Sequence, residues 1–452
     1  MLMAIVVLLL VVGSVLFHIY SPWWLTPIAS NWSSMDDTLV LTFWVTGIVF
    51  VLVNVFMAYS IVRYRHREGH RAEYEPENKK LEYWLTGITT VGVVAMLAPG
   101  LATWADFVQV PENAVEVEAV GQQWHWSFRY PGQDGVMGTV ANRHVSKSNP
   151  FGMNPDDPNG QDDILVVGNK LHLPLGQVTH LLLRSKDVLH DFAVPQFRVK
   201  MDLIPGTVTY QWFETTKIGQ YEILCEELCG MGHFVMRGHV VVESDEDYNA
   251  WISTQPTYAE TQATLATIDI VRGEALYGSC LSCHGSEGQG NQILNAPKIA
   301  GQEAHYIARQ LNYFKSGVRG SHKDDVFGQM MAPMAGLLSS QSEVRDVSAY
   351  IASMPNTATV ATIEGNIFRG QTIYENCANC HGVKGQGIEA MNAPVAAGMS
   401  DWYMMTQLHN FKEGIRGAHD GDFYGDQMIL MADTLADDSA INDVVAYINT
   451  LQ

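Results

Sequence analysis

The chain has 452 residues, too many for one ordinary core, so several domains are expected at roughly 100–200 residues each. A net charge of −21 argues against nucleic acid as a partner, because two polyanions repel. The hydrophobic content of 47% would suit a soluble protein, but the apolar residues crowd into the first quarter.

Residues 2–17 form a short apolar run with no basic residue ahead of it. It reads as a first membrane helix or as an unusual signal peptide with Ala29-Ser30 as a cleavage candidate, followed by a link that completes a segment over 1–37. Residues 38–62 and 83–104 are each long and apolar enough to span a bilayer, so 38–104 is expected as a two-helix anchor in membrane lipid. The loop over 63–80 carries Arg63, Arg65, Arg67, Arg71, Lys79 and Lys80, which places it in the cytoplasm. Everything after the second span is then periplasmic.

From 105 to 250 the texture changes to short alternating segments such as AVEVEAVG and RGHVVVES, punctuated by Pro131-Gly132 and Pro205-Gly206. That pattern predicts a β-sandwich or barrel. A polar, Thr-rich linker follows over 251–268. The rest is a tandem repeat over 269–357 and 358–452: CLSCHG at 280 recurs as CANCHG at 377, and QLNYFKSGVRGSH at 310 as QLHNFKEGIRGAH at 407, each match 97 residues on.

All six cysteines fall in three close pairs, a spacing that suits metals and cofactors better than a disulfide framework. Cys280-Leu-Ser-Cys283-His284 and Cys377-Ala-Asn-Cys380-His381 are C-x-x-C-H motifs. Two thiols at that spacing form thioethers to the haem vinyl groups, and the adjacent His reaches the iron. A zinc site or redox dithiol is the alternative, but no further Cys stands nearby to complete a four-cysteine site. The opposite axial position suits a methionine. Met331 and Met334 in the first copy align with Met428 and Met431 in the second, whereas Met330 aligns with Gln427. His322 and His419 also repeat and read as surface or propionate-side residues.

The segment 225–236 holds Cys225, Cys229, His233 and Met236, soft and borderline ligands suited to copper, with His190 as the second imidazole. Zinc on Cys225, Cys229, His233 and His190 is the alternative, though zinc has little use for Met236.

The C-x-E-x-C-x3-H-x2-M motif, with His190 upstream, resembles the CuA site of cytochrome c oxidase subunit II. APKIAGQ, QLNYFKSG and the closing DVSAYI and DVVAYI segments resemble the two-domain cytochrome c4 family. Together they resemble a caa3-type arrangement with two haem domains. The fold implied is multidomain: a transmembrane helical anchor, an all-β cupredoxin barrel with CuA, and two all-α class I cytochrome c domains in tandem. The resemblance implies His190, Cys225, Cys229, His233 and Met236 as side-chain copper ligands and Glu227 as a backbone-carbonyl ligand. It also implies a magnesium ion shared with subunit I, held by Glu227 and supported by Asp202. Cytochromes of this kind place the ligand Met seven residues before a Leu, and Leu338 and Leu435 hold that place, selecting Met331 and Met428. Within the aromatic stripe Gly121–Tyr130, which the family also has, Trp124 is expected to receive electrons while other aromatics fill the barrel core. Glu82 resembles a glutamate at a proton-channel mouth, although Leu85 stands where the family has Trp.

The expected function is to pass electrons from a donor through two haem c groups to CuA, and on to subunit I, where oxygen is reduced. The expected partners are subunit I, subunit III and an external donor, either a cytochrome c or a quinol-oxidising complex. The expected location is a bacterial inner membrane. A CuA-containing subunit of a nitric oxide reductase is the alternative within respiration, and a free-standing electron shuttle is the alternative outside it.

Overall fold

The structure is a computed structural model that describes residues 2–451 except 22–24, 72, 73, 75, 147 and 266. Three helices open the chain: α1 (Leu2–Tyr20), α2 (Ser33–Arg63) and α3 (Lys79–Val108). All three are long and apolar enough to cross a membrane. At 1.5 Å per residue, the 31 residues of α2 extend about 46 Å, more than a hydrocarbon core of about 30 Å. The basic loop expected over 63–80 joins the C-terminus of α2 to the N-terminus of α3; its residues 72, 73 and 75 lie outside the described residues.

Ten strands follow: β1 (Val115–Gln122), β2 (His125–Tyr130), β3 (Ile164–Val167), β4 (Lys170–Pro174), β5 (Val178–Ser185), β6 (His190–Val194), β7 (Val199–Leu203), β8 (Thr209–Glu214), β9 (Gly219–Leu224) and β10 (Arg237–Glu243). They form two five-stranded sheets, ordered β3-β2-β1-β5-β8 and β4-β10-β9-β6-β7. Period-two alternation drives this: in β5, Thr179, Leu181, Leu183 and Ser185 turn inward while their neighbours are half-exposed. Trp126, Phe128, Leu171, Leu181, Phe192 and Phe213 fill the space between the sheets. The expected all-β unit is therefore a cupredoxin-like sandwich.

The sandwich stands on one end of the anchor. Arg198 pairs with Asp36 at 2.6 Å, Trp32 Nε1 donates to the Trp212 carbonyl at 2.9 Å, and Trp212 Nε1 donates to that of Asp106 at 3.1 Å. Asp36 opens α2 and Asp106 closes α3, so the sandwich and the basic loop lie at opposite ends of these helices.

The stretch expected as a linker is partly helical. It begins within α4 (Asp245–Ile252) and carries α5 (Tyr258–Leu265). Trp251 stacks on His172 with ring centroids 4.0 Å apart. Thr257 and Glu260 form a reciprocal capping box, with amide-to-side-chain bonds of 2.9 and 3.2 Å. Tyr258 is buried against Val120, Phe151 and Met153, so the stretch is tied to the sandwich.

The first repeat contains α6 (Ile270–Tyr277), α7 (Leu281–His284), α8 (Ala304–Ser316), α9 (Val326–Gly336) and α10 (Gln341–Ala352). The second contains α11 (Ile367–His381), α12 (Asp401–Lys412), α13 (Phe423–Ala432) and α14 (Asp438–Ile448). In each, the first helix crosses the last. At the second crossing a Cβ on Gly370 would lie 2.0 Å from the Asp443 carbonyl oxygen, so only glycine permits that approach.

Candidate functional site

His190 opens β6, and the other expected copper ligands lie on the turn between β9 and β10. The ligand atoms of His190, Cys225 and Cys229 all fall within 4.8 Å of one another. Cys225 Sγ and Cys229 Sγ are 3.7 Å apart, well beyond a disulfide of about 2.05 Å, and both thiols are free. Cys229 Sγ is also 3.5 Å from His233 Nδ1 and 3.9 Å from Met236 Sδ, while Cys225 Sγ lies 3.3 Å from the Glu227 carbonyl oxygen. All six expected groups therefore converge.

A residue missed by sequence reasoning orients one imidazole: Asp187 Oδ1 is 2.8 Å from His190 Nε2. His190 Nδ1 is buried without a hydrogen-bond partner. Such an orphaned nitrogen beside two thiols is the arrangement a metal satisfies. The hydrogen bond with Cys229 pulls the Cys225 thiol well below the ordinary thiol range and pushes Cys229 above it. Two sulfurs, two imidazoles and a thioether fit copper.

Trp124 covers this turn. Its Nε1 donates to the Cys229 carbonyl at 3.1 Å, and a Cβ on Gly232 would come within 2.4 Å of its indole. Trp126, Phe128 and Tyr130 are core, as expected for the rest of the stripe. Asp202 pairs across the strands with Asp191, a fully buried carboxyl raised to about 8 by burial and by Asp202. Neither Asp202 nor Glu227 joins a three-residue metal cluster among the described residues. Glu82 stands exposed in the first turn of α3, at the end away from the sandwich.

In the helical repeats the two C-x-x-C-H motifs end at His284 and His381, whose Nδ1 atoms each lie 2.8 Å from a carbonyl oxygen, of Pro297 and Pro394 respectively. A carbonyl only accepts, so Nδ1 carries the proton and Nε2 is left as the ligand atom. Met331 is half-buried and packs against the same core cluster as Cys280, whereas Met334 is exposed. Met428 is half-buried on α13, whereas Met431 packs against the sandwich core. In the second copy both methionines are half-buried, so burial alone does not divide that pair.

Two further residues tie the repeats together. Arg319 donates to Gln310 at 2.7 Å, to Tyr403 at 2.6 Å and to Gln407 at 3.0 Å. Arg416 donates to Gln407 at 2.7 Å and to Tyr306 and Gln310, both at 3.0 Å. Both guanidiniums are buried, neither has an ion pair among the described residues, and both Nε atoms lack partners. Asp422 acts on Arg416 only from beyond ion-pair distance, and a buried cation without a close anion is costly. The carboxylates of haem propionates would supply that charge, so the residues fit the cofactor. The signal was available, since Arg319 and Arg416 hold the same place in both copies.

Three apolar helices, a sandwich with a converging copper-type donor set, and two duplicated C-x-x-C-H domains define a membrane-anchored multicentre electron carrier. The comparisons agree. The model "Cytochrome C oxidase subunit II, periplasmic domain" matches residues 115–244, and "Cytochrome c" matches 270–355 and 367–452. An alternative cytochrome c oxidase subunit 2 of Bradyrhizobium diazoefficiens is 56% identical over 259 residues, 57% of this chain and 94% of that protein. A cytochrome c oxidase subunit 2 of Cereibacter sphaeroides is 25% identical over 235 residues, 50% of this chain and 77% of that one. A solved periplasmic domain of oxidase subunit II from Bradyrhizobium japonicum is 30% identical, with coverage of 32% and 96% and a TM-score of 0.25. Reduced cytochrome c4 from Pseudomonas stutzeri is 24% identical, with coverage of 41% and 100% and a TM-score of 0.34. The chain belongs to the cytochrome c oxidase subunit II family. Its subunit II domain implies CuA copper, and its two cytochrome c domains imply haem c.

Proposed function

We propose that this chain is the electron-receiving subunit of a haem–copper terminal oxidase in a bacterial inner membrane. In this reading the anchor is 38–104, the copper domain 105–250 and the haem domains 269–357 and 358–452. When bound, CuA and the two haems supply one-electron redox chemistry, carrying electrons from a donor to subunit I for reduction of oxygen to water. The single observation that carries the copper assignment is the convergence of His190, Cys225, Cys229, His233 and Met236 with the Glu227 carbonyl. The relatives above are oxidase subunits, and nothing found favours the nitric oxide reductase alternative.

The residues contribute rigidity and access. Asp187 fixes the His190 ring, and Trp124 closes the turn over Cys229. Cys280 and Cys283 would hold one haem, with His284 and Met331 offering nitrogen and sulfur to its iron; Cys377, Cys380, His381 and Met428 would do the same for the other. Ligands on packed elements move little when charge changes, which favours fast transfer. A magnesium ion at Glu227 and Asp202 would need further ligands from subunit I. Glu82 is assigned to the mouth of a proton path in that partner. Subunit III and membrane lipid complete the surroundings, and the donor is a cytochrome c or a quinol-oxidising complex. Elemental analysis of the purified complex tests the cofactor set. After subtraction of subunit I's metals, two copper atoms and two covalent haems per copy of this chain support the reading, and stoichiometric zinc in place of copper contradicts it.

A further inference from the structure

The two haem domains have the same architecture but opposite surroundings. In the second, the face around Cys380 lies against the copper domain: Cys380, Met391, Leu430 and Met431 pack on that domain's core. Gln427 Nε2 donates to the Trp124 carbonyl at 2.5 Å and to that of Val235 at 3.3 Å, and Gln122 Nε2 donates to the Ala390 carbonyl. The rings of His125 and Tyr424 meet edge to face at 6.1 Å. The electron-receiving face at Trp124 is thus covered from within the chain.

The equivalent face of the first domain is bare. Cys283, Phe327, Met330 and Met334 hold the places of Cys380, Tyr424, Gln427 and Met431. All four are exposed, Met330 at 63%, and so is Ile293, which holds the place of Ala390, at 91%. An apolar patch of this kind marks an interaction site. The duplication says which kind, because its copy is the surface through which a haem domain meets an electron partner. Charge narrows the partner. Residues 269–357 carry seven Lys/Arg against eight Asp/Glu, whereas 358–452 carry four against twelve. Docking on the first domain is therefore governed by apolar contact rather than by long-range attraction.

We infer that the face around Cys283, Phe327 and Met330 is the docking surface for an external one-electron donor protein with an apolar cofactor edge, and that the Trp124 face is reserved for the chain's own second haem domain. The inference rests on the electron-receiving function proposed above. It makes the first domain the port and the second a permanently docked internal relay.

The test uses the whole detergent-purified complex and an ascorbate-reduced soluble class I cytochrome c as the probe, with Kd read by interferometry. Met330→Glu and Ile293→Glu, both at exposed positions, are each expected to raise Kd at least tenfold. They should also raise KM for the probe with kcat for oxygen uptake unchanged. Val136→Glu, exposed on the copper domain, should leave both alone. Unchanged Kd in both face variants overturns the inference. So does loss of a copurifying subunit or a change in the number of copies per complex, since the face would then be covered by something else. If the wild type takes up no oxygen even with ascorbate and a small diffusible mediator, the proposed function fails, while Kd still reports on docking.

Discussion

The side-chain amide of Gln427, in the last domain, donates to the main-chain carbonyl of Trp124, 303 residues earlier, at 2.5 Å. The bond joins the tip of the second haem domain to the residue that roofs the Cys229 turn. A net contribution of about 0.5–1.5 kcal/mol per hydrogen bond applies to it and to the second bond, to Val235. Gln427→Ala is therefore expected to loosen the docking without unfolding either domain. Hydrogen exchange should rise across residues 120–126 and stay unchanged at the β5–β8 ladder. Unaltered exchange at 120–126 would show that the apolar packing alone holds the domains together.

Gly232 is required by the close approach of Trp124. Gly232→Ala should push the indole away and break its 3.1 Å bond to the Cys229 carbonyl. Overpacking of this kind costs roughly 1–3 kcal/mol. The copper spectrum of the variant should shift while its haem spectra do not. A variant with wild-type copper spectrum and stability would contradict the placement of Trp124.

Met331 is half-buried against the first repeat's core, and Met334 is the more exposed of the two. Met331→Ala should lower the potential of the first haem and remove its thioether-ligand band, because a Met/His pair raises the potential. Met334→Ala should leave both unchanged. The opposite result would move the ligand assignment to Met334, and to Met431 in the second copy.

Asp401 gives a pH-dependent contribution to the second haem domain. Burial pushes its carboxyl up, but the amides of Thr362 at 2.5 Å and Ile363 at 2.9 Å outweigh that and hold it below the ordinary range. The unfolded chain binds the proton at higher pH than the folded one, so stability rises with pH through the window. The contribution is fully present above about 3.9, the unperturbed value, and is lost as pH falls through the lower folded value. Asp401→Asn should cost on the order of 1–3 kcal/mol at neutral pH and flatten the acid limb of the melting curve. An acid limb identical to the wild type would refute this.

Much of this architecture is legible in the sequence because its determinants are local. Cys225, Cys229, His233 and Met236 lie within one turn of chain, and each C-x-x-C-H motif sits at the end of a helix. The two-sheet sandwich follows from alternation, and the duplication from a constant offset. What was not legible depends on contacts between distant segments. Arg319 reaches Tyr403 and Arg416 reaches Tyr306 only after the repeats dock. Gln427 looked like a mere mismatch to Met330, yet that polar substitution suits a carbonyl partner on another domain. Asp187 stands three residues before His190, but nothing local distinguishes a ring-orienting carboxylate from a turn residue. The helix over Tyr258–Leu265 was hidden by its polar composition, although its Thr257–Glu260 capping box was present in the sequence.

The most direct test of the central claim is oxygen uptake by the complex captured through a tag on this chain and supplied with a reductant that feeds the c haems. Rapid, cyanide-sensitive uptake is expected of an oxidase fed by this chain. A complex that retains its haem and copper spectra but consumes no oxygen would contradict it.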